Sequence, residues 1–248
     1  MNSKIFEREL TYIENDAVRK FTETALDNLP QYFFEVAASS TGKYHPTYAL
    51  GDGGLVRHTK AAVRFANHLF IIEQNKNAFS SMERSCVISA IILHDGWKHG
   101  DKGSAFTTHE HPVMCADWIK NAECLNGIIN DGIRDAIASA VASHMGEWNE
   151  SKRSTITLPK PETEAQKFVH MCDYLASRKD IEVLFDANES ARVEKARSKI
   201  DDYKLTFGKH KGELITDVAK NHKDYLEWMR DNMTLQEPLK NFVHTLLG

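Results

Sequence analysis

The sequence predicts a predominantly helical protein, an all-α bundle over residues 1–200 followed by a small α+β appendage over residues 201–248. Two observations carry the bundle. Apolar residues recur at spacings of three and four through segment after segment, and those segments are bounded by prolines, glycines and capping residues rather than by hairpin turns. A third carries the appendage: from Asp201 onward the helical pattern gives way to Leu205 and Phe207 alternating about Thr206, as in a strand.

The elements follow in order. Residues 14–29 place Val18, Phe21, Ala25 and Leu29 near one face and stop at Pro30. A short segment at 32–38 precedes a polar loop at 39–43. In YHPTYALGDGGLVRHT, residues 44–59, Gly51, Gly53 and Gly54 break the chain before a helix whose apolar face is Val56, Ala62 or Val63, Ala66, and Leu69 or Phe70, with His58 in its first turns. Such glycines are expected where backbone passes close to something, such as a site.

Residues 82–93 read as an apolar helix that delivers His94-Asp95. Adjacent helical residues point about 100° apart, so this doublet cannot serve one packing face. In the linker that follows, Thr107-x-x-Glu110 reads as a capping box for a helix over 109–121, with His111 in its first turn ahead of Pro112. Asp131 is the expected N-cap of a helix over 133–144, ending at His144. The polar loop 147–160 offers Glu147, Lys152 and Arg153 to a substrate. Residues 161–178 form a further helix in which Asp173 sits among inward-facing Phe168, Cys172 and Leu175, where an unpaired carboxylate is expensive. A charged helix is expected over 187–200.

Composition bounds the function. The chain has 248 residues, enough for a full core, with 42% hydrophobic and 27% charged residues, as in ordinary globular proteins. A net charge of −4 supplies no global positive field for nucleic acid, so any such contact must be local. The four cysteines form no C-x-x-C pair and read as buried hydrophobes in a reducing compartment. The charged start MNSKIFEREL and the lack of a membrane-length apolar run make a cytoplasmic protein with no membrane partner the expectation.

Six polar residues interrupt apolar helical faces: His58, His94, Asp95, His111, His144 and Asp173. Each histidine alone is more often a hydrogen-bonded core or surface residue. Together they form a nitrogen and carboxylate set without thiolate, suited to Zn, Mn, Fe or Mg. Six ligands exceed what one ion needs, whereas two ions sharing Asp95 use them all and supply a bridging hydroxide at neutral pH.

The order H…HD…H…H…D, with HD-x-x-K at His94-Asp95-Gly96-Trp97-Lys98, resembles the HD superfamily of metal-dependent phosphohydrolases from about Gly53 to Arg178. The resemblance implies an HD-domain helical bundle, with His58, His94, Asp95 and Asp173 on one metal. His111 and His144 resemble the subset with two divalent ions (Mn, Fe, Zn, Ni or Mg), which includes phosphodiesterases and 3'-5' exoribonucleases. The segment from SHMGEWNESKRS to FVHMCD is similar to the exonuclease group. Two departures stand out: Gly96-Trp97 replaces the common Ile-Gly, and no GYP sequence follows His144, unlike cyclic-di-GMP phosphodiesterases. In this reading Asp95 and Lys98 are catalytic, Lys98 stabilising developing charge, and His45 and His99 line the substrate pocket. His111 is preferred to His109 as ligand because Pro112 matches the family's helix start.

In the appendage, KLTFGKHKGELITDVAKNHKDYLEWMRDN at 204–232 joins a basic glycine turn to helical stretches at 215–219 and 225–229. The pattern TFGKHKG…DYLEWM resembles a small module at the C-terminal end of some exonucleases. Lys209 and Lys211 beside aromatics suit a phosphate backbone; the alternative is a solvated turn with Tyr225 and Trp228 as core. The expected activity is phosphodiester hydrolysis, most readily in single-stranded nucleic acid. A nucleotide phosphohydrolase of the nucleotidase or dNTP triphosphohydrolase kind, and a non-catalytic nucleotide-binding regulator, are the alternatives.

Overall fold

The computed structural model describes residues 1–39, 45–101, 103–104, 106–181, 183, 199–236 and 238–247. The helix expected over 187–200, apart from its last two residues, and most of the loop at 39–43 lie outside them. The described residues are mostly helical and contain no strand. They divide into two compact units, Met1–Phe34 with His58–Ser177, and Glu35–Arg57 with Arg178–Gly248.

The first unit is built from α1 (Glu7–Leu10), α2 (Asp16–Asn28), α3 (Gly54–Leu69, from His58 onward), α4 (Glu73–Ala78), α5 (Ser81–Leu93), α6 (His111–Asn121), α7 (Asp131–Ala142) and α8 (Glu164–Ala176). Helix α5 is central because its second half is buried all round: Val87, Ile88, Ala90, Ile91, Ile92 and Leu93 are all buried. It packs against α2, α7 and α8, and α6 packs against α7. A full capping box starts it, with Ser80 Oγ accepting from the Glu83 N–H and the Glu83 carboxylate accepting from the Ser80 N–H. Its buried Ser89 is satisfied by Thr22 Oγ1 of α2 at 2.7 Å, and its buried Ser85 donates to the Ser81 carbonyl at 2.9 Å. Glu9, fully buried, is held by the Arg64 guanidinium of α3 at 3.0 and 3.1 Å and by Lys60 at 3.9 Å.

Two helix starts differ from the sequence expectation. Helix α6 begins at His111 with Glu110 as N-cap and no side-chain cap. The Thr107–Glu110 capping box does not form, because the Glu110 carboxylate accepts from Ser154 Oγ instead. Helix α7 is capped by Asn130, whose side chain accepts from the Ile133 N–H at 2.9 Å, so Asp131 is its first residue. This helix stops at Ala142, leaving His144 two residues beyond its end.

In the second unit the glycine-rich segment serves the chain itself. A Cβ at Gly54 would lie 2.2 Å from the Ala49 carbonyl oxygen, so the close approach is backbone to backbone rather than backbone to a site. Arg57 clasps the same turn through the carbonyls of Tyr48, Leu50 and Asp52. The C-terminal part of this unit holds α9 (Ile215–Asn221), α10 (Lys223–Asn232) and α11 (Leu239–Leu247) around a core of Leu205, Ile215, Val218, Leu226, Met229, Leu239, Phe242 and Val243. The α+β expectation is not met among the described residues. Strand alternation would put Leu205 and Phe207 on one face, yet Leu205 is buried and Phe207 exposed, and the segment makes a single antiparallel bridge, Lys204 to Leu214, before the glycine turn closes. Trp228 is 52% exposed and is not core. No described helix is long and apolar enough to cross a membrane.

Candidate metal centre

The six residues that interrupt apolar faces gather in the first unit, carried by α3, the end of α5, the start of α6, the turn after α7, and α8. Asp95 is at the middle, 1% exposed. Its two oxygens face different partners. Oδ2 lies 3.3 Å from His94 Nε2 and 4.0 Å from His58 Nε2, and accepts from Lys98 Nζ. Oδ1 lies 2.9 Å from His111 Nε2 and 3.7 Å from His144 Nε2. Asp173 Oδ1 closes the first side, 2.8 Å from His58 Nε2 and 3.4 Å from His94 Nε2. Three overlapping groups result in which each residue offers a ligand atom within 4.8 Å of the others: His58, His94 and Asp95; His94, His144 and Asp173; and Asp95, His111 and His144.

Local backbone sets the ring orientations. His94, His111 and His144 each place Nδ1 2.7 Å from the carbonyl three residues earlier, of Ile91, Thr108 and Val141. A carbonyl only accepts, so Nδ1 carries the hydrogen in all three rings and Nε2 is turned toward Asp95. This is the arrangement that metal-binding histidines adopt, one nitrogen tied to an acceptor and the other presented inward. His94 Nε2 and Asp95 Oδ1 are buried and make no hydrogen bond of acceptable geometry, as expected of atoms shaped for another partner.

The charges agree. Burial alone would push His94 down, but the Asp95 and Asp173 carboxylates outweigh it and hold the ring up to about 10. Burial works to raise Asp95, yet the charges of Lys98 and His94 hold it well below the usual carboxylate range. Asp173 is depressed in the same way, burial being outweighed by His94 and His58. His144 is driven down to about 3 by burial and by the neighbouring His94 and His111. Two carboxylates thus face the positive charge of Lys98 and a His94 ring whose affinity for a proton they raise, positions that a cation would contest.

The other expected site residues are distributed unevenly. Lys98 reaches the centre, and His99 beside it is buried and stacked on Tyr32 with centroids 5.4 Å apart. Lys152 and Arg153 are exposed on the turn after α7, and His109 takes no part in the three groups. His45, Lys209 and Lys211 belong to the second unit, the two lysines exposed. There Lys209 donates its backbone N–H to Tyr225 Oη at 3.2 Å, and Tyr225 stacks on Trp228 at 6.0 Å. Gly208 has φ of +82°, and a Cβ on it would lie 2.1 Å from Tyr225 Oη, so the basic turn requires glycine twice over. A further His210, Glu213 and His222 group lies in the same turn region.

Residues 205–233 match one family model. It is the exodeoxyribonuclease X-like C-terminal family, and its span covers the glycine turn, α9 and α10 but not α11. No curated protein and no solved structure matches the chain. The C-terminal match hints at a nuclease, and the buried His and Asp groups can hold metal ions.

Sequence reasoning passed over three residues around this centre. His170 of α8 contacts the carbonyl of His144, and Trp148 and Tyr174 stack beside it. A signal for His170 existed in its position three residues before Asp173, on one helical face.

Proposed function

We propose that the chain is a metal-dependent phosphodiesterase of the HD type acting on single-stranded nucleic acid, with residues 201–248 as a module that grips the strand. The observation that supports it most is the division of Asp95, one oxygen toward His58 and His94, which also face Asp173, the other toward His111 and His144. This donor set fits two divalent ions sharing one carboxylate. Bound there, divalent ions supply Lewis acidity and a water acidified toward neutrality.

The chain's own groups do the rest. The carbonyls of Ile91, Thr108 and Val141 hold three imidazoles in one tautomer, so no reorientation is needed when ligands bind. Lys98, buried against Asp95, is a fixed positive charge for a phosphoryl group entering the centre. Lys209 and Lys211, on a turn whose backbone glycine fixes, contribute backbone affinity without sequence preference, and exposed Trp228 adds a face for bases.

The test is a Mn-supplemented hydrolysis screen over labelled single-stranded RNA, single-stranded DNA, cyclic nucleotides and nucleoside triphosphates. Single-stranded polymer is expected to be cut, and turnover confined to triphosphates would overturn the reading. Deleting residues after Ile200 should weaken oligonucleotide cleavage and spare a small chromogenic phosphodiester. Equal loss on both would make the C-terminal part structural.

A further inference from the structure

The loop after His144 carries Trp148 with half of its surface in solvent. Its ring lies 5.7 Å from that of Tyr174, with planes within 8°, and His170 sits 6.0 Å from Trp148 and 6.5 Å from Tyr174. Exposed aromatics usually move, but this one is tied down. His170 Nδ1 donates to the His144 carbonyl at 2.7 Å, and its Nε2 lies 3.0 Å from Glu147 Oε2. Gly146, at φ of +57°, passes so close that a Cβ would sit 2.2 Å from His170 Cε1. The Trp148 N–H donates to the Met145 carbonyl, and Asn149 and Leu158 close the loop with two backbone-directed bonds at 2.8 and 3.2 Å. The platform is also next to the centre along the chain: Tyr174 follows Asp173, and His170 holds the residue His144.

We propose that Trp148 and Tyr174 form a stacking platform for a nucleobase of the substrate strand, with His170 as the positioning residue that holds the loop to α8. The inference rests on the nucleic-acid reading above and assigns the part of the substrate that the metal centre does not recognise. A flat, pre-ordered aromatic pair takes any base by its π face, so it confers affinity without sequence preference. The ordering cost is met on folding rather than on binding. Paired bases within a duplex do not present their faces, so the platform selects unpaired strand. Mutual packing of Trp148 and Tyr174 accounts for one face of the indole; it does not account for a rigid loop that keeps the remainder in water.

The experiment compares a thymidine oligomer with a tetrahydrofuran-abasic oligomer of equal length, for wild type, Trp148→Ala, Trp148→Phe and His170→Ala, with folding checked by circular dichroism. Wild type should show a KM for the base-bearing oligomer lower by about 10- to 100-fold, the range of one or two stacked bases. Trp148→Ala should erase that preference while leaving the abasic oligomer unchanged, and Trp148→Phe should restore most of it. Trp148→Ala raising KM equally for both oligomers, or for neither, would overturn the platform. A second measurement stands apart from hydrolysis: in chelator, the thymidine oligomer should quench tryptophan fluorescence more in wild type than in Trp148→Phe. Equal quenching overturns the platform even in an active nuclease. Greater quenching in wild type without cleavage of either oligomer retains the platform and removes the nuclease reading.

Discussion

His111 and His144 face each other nitrogen to nitrogen, their Nε2 atoms 3.2 Å apart, with Asp95 Oδ1 2.9 Å from the first and 3.7 Å from the second. Both rings spend their Nδ1 hydrogens on backbone carbonyls. In that tautomer two lone pairs point at one space, which is unfavourable until a proton or a cation occupies it. His111→Ala or His144→Ala is therefore expected to lower bound metal from two ions to one per chain, with His58, His94 and Asp173 still serving the other. Elemental analysis after dialysis decides it, and unchanged stoichiometry in both variants would sink the two-ion site.

Lys98 and a cation compete for Asp95 Oδ2. Lys98→Met should thus tighten metal binding while lowering kcat by about 100-fold, the scale of losing one preorganised charge at a transition state. Metal titration and steady-state kinetics on one preparation read both. If kcat is retained, Lys98 is only a counter-charge for Asp95.

The buried contact between Glu9 and Arg64 is structural. Glu9→Ala removes the fully buried carboxylate that accepts from the Arg64 guanidinium and breaks a buried ion pair, at a cost of about 3–5 kcal/mol. Urea unfolding should register this as a lower midpoint at unchanged slope. A Glu9→Gln variant should recover part of the loss through its amide oxygen.

At the start of α5, hydrogen bonds from the Ser80 N–H and hydroxyl hold the Glu83 carboxyl below its ordinary value. A depressed carboxylate contributes stability that is present above its unfolded value, near 4.5, and is lost as pH falls through the folded one. Ser80→Ala should cost about 1 kcal/mol at neutral pH. The gap between wild type and variant should narrow below pH 4.5, measured as thermal midpoints across a pH series. A gap that widens on acidification would contradict the capping box.

At residue 205 and beyond, much of the local pattern was legible. The KHKG turn, the helical stretches at 215–219 and 225–229, and the likeness to an exonuclease C-terminal module all follow from residue order, and the 205–233 match agrees with that likeness. Among the described residues no strand forms there: the apolar pattern of Leu205 and Phe207 supplies neither a shared buried face, since Phe207 is exposed, nor a ladder partner beyond one bridge. Caps were misplaced by a residue or more at α6 and α7. Both Asn130 and Asp131 have capping side chains, and Glu110 found a distant partner in Ser154.

The sequence by itself determined that the apolar run ending α5 is buried and that six polar residues interrupt helical faces, since periodicity and the cost of burying charge are local in residue order. Only the tertiary structure decided which of the six share an oxygen of Asp95, that Lys98 lies against the other side, and that Trp148 and Tyr174 meet beside them. Those relationships join residues far apart in the chain. Their distances are set by how helices pack and where turns end, and no spacing along the sequence encodes them.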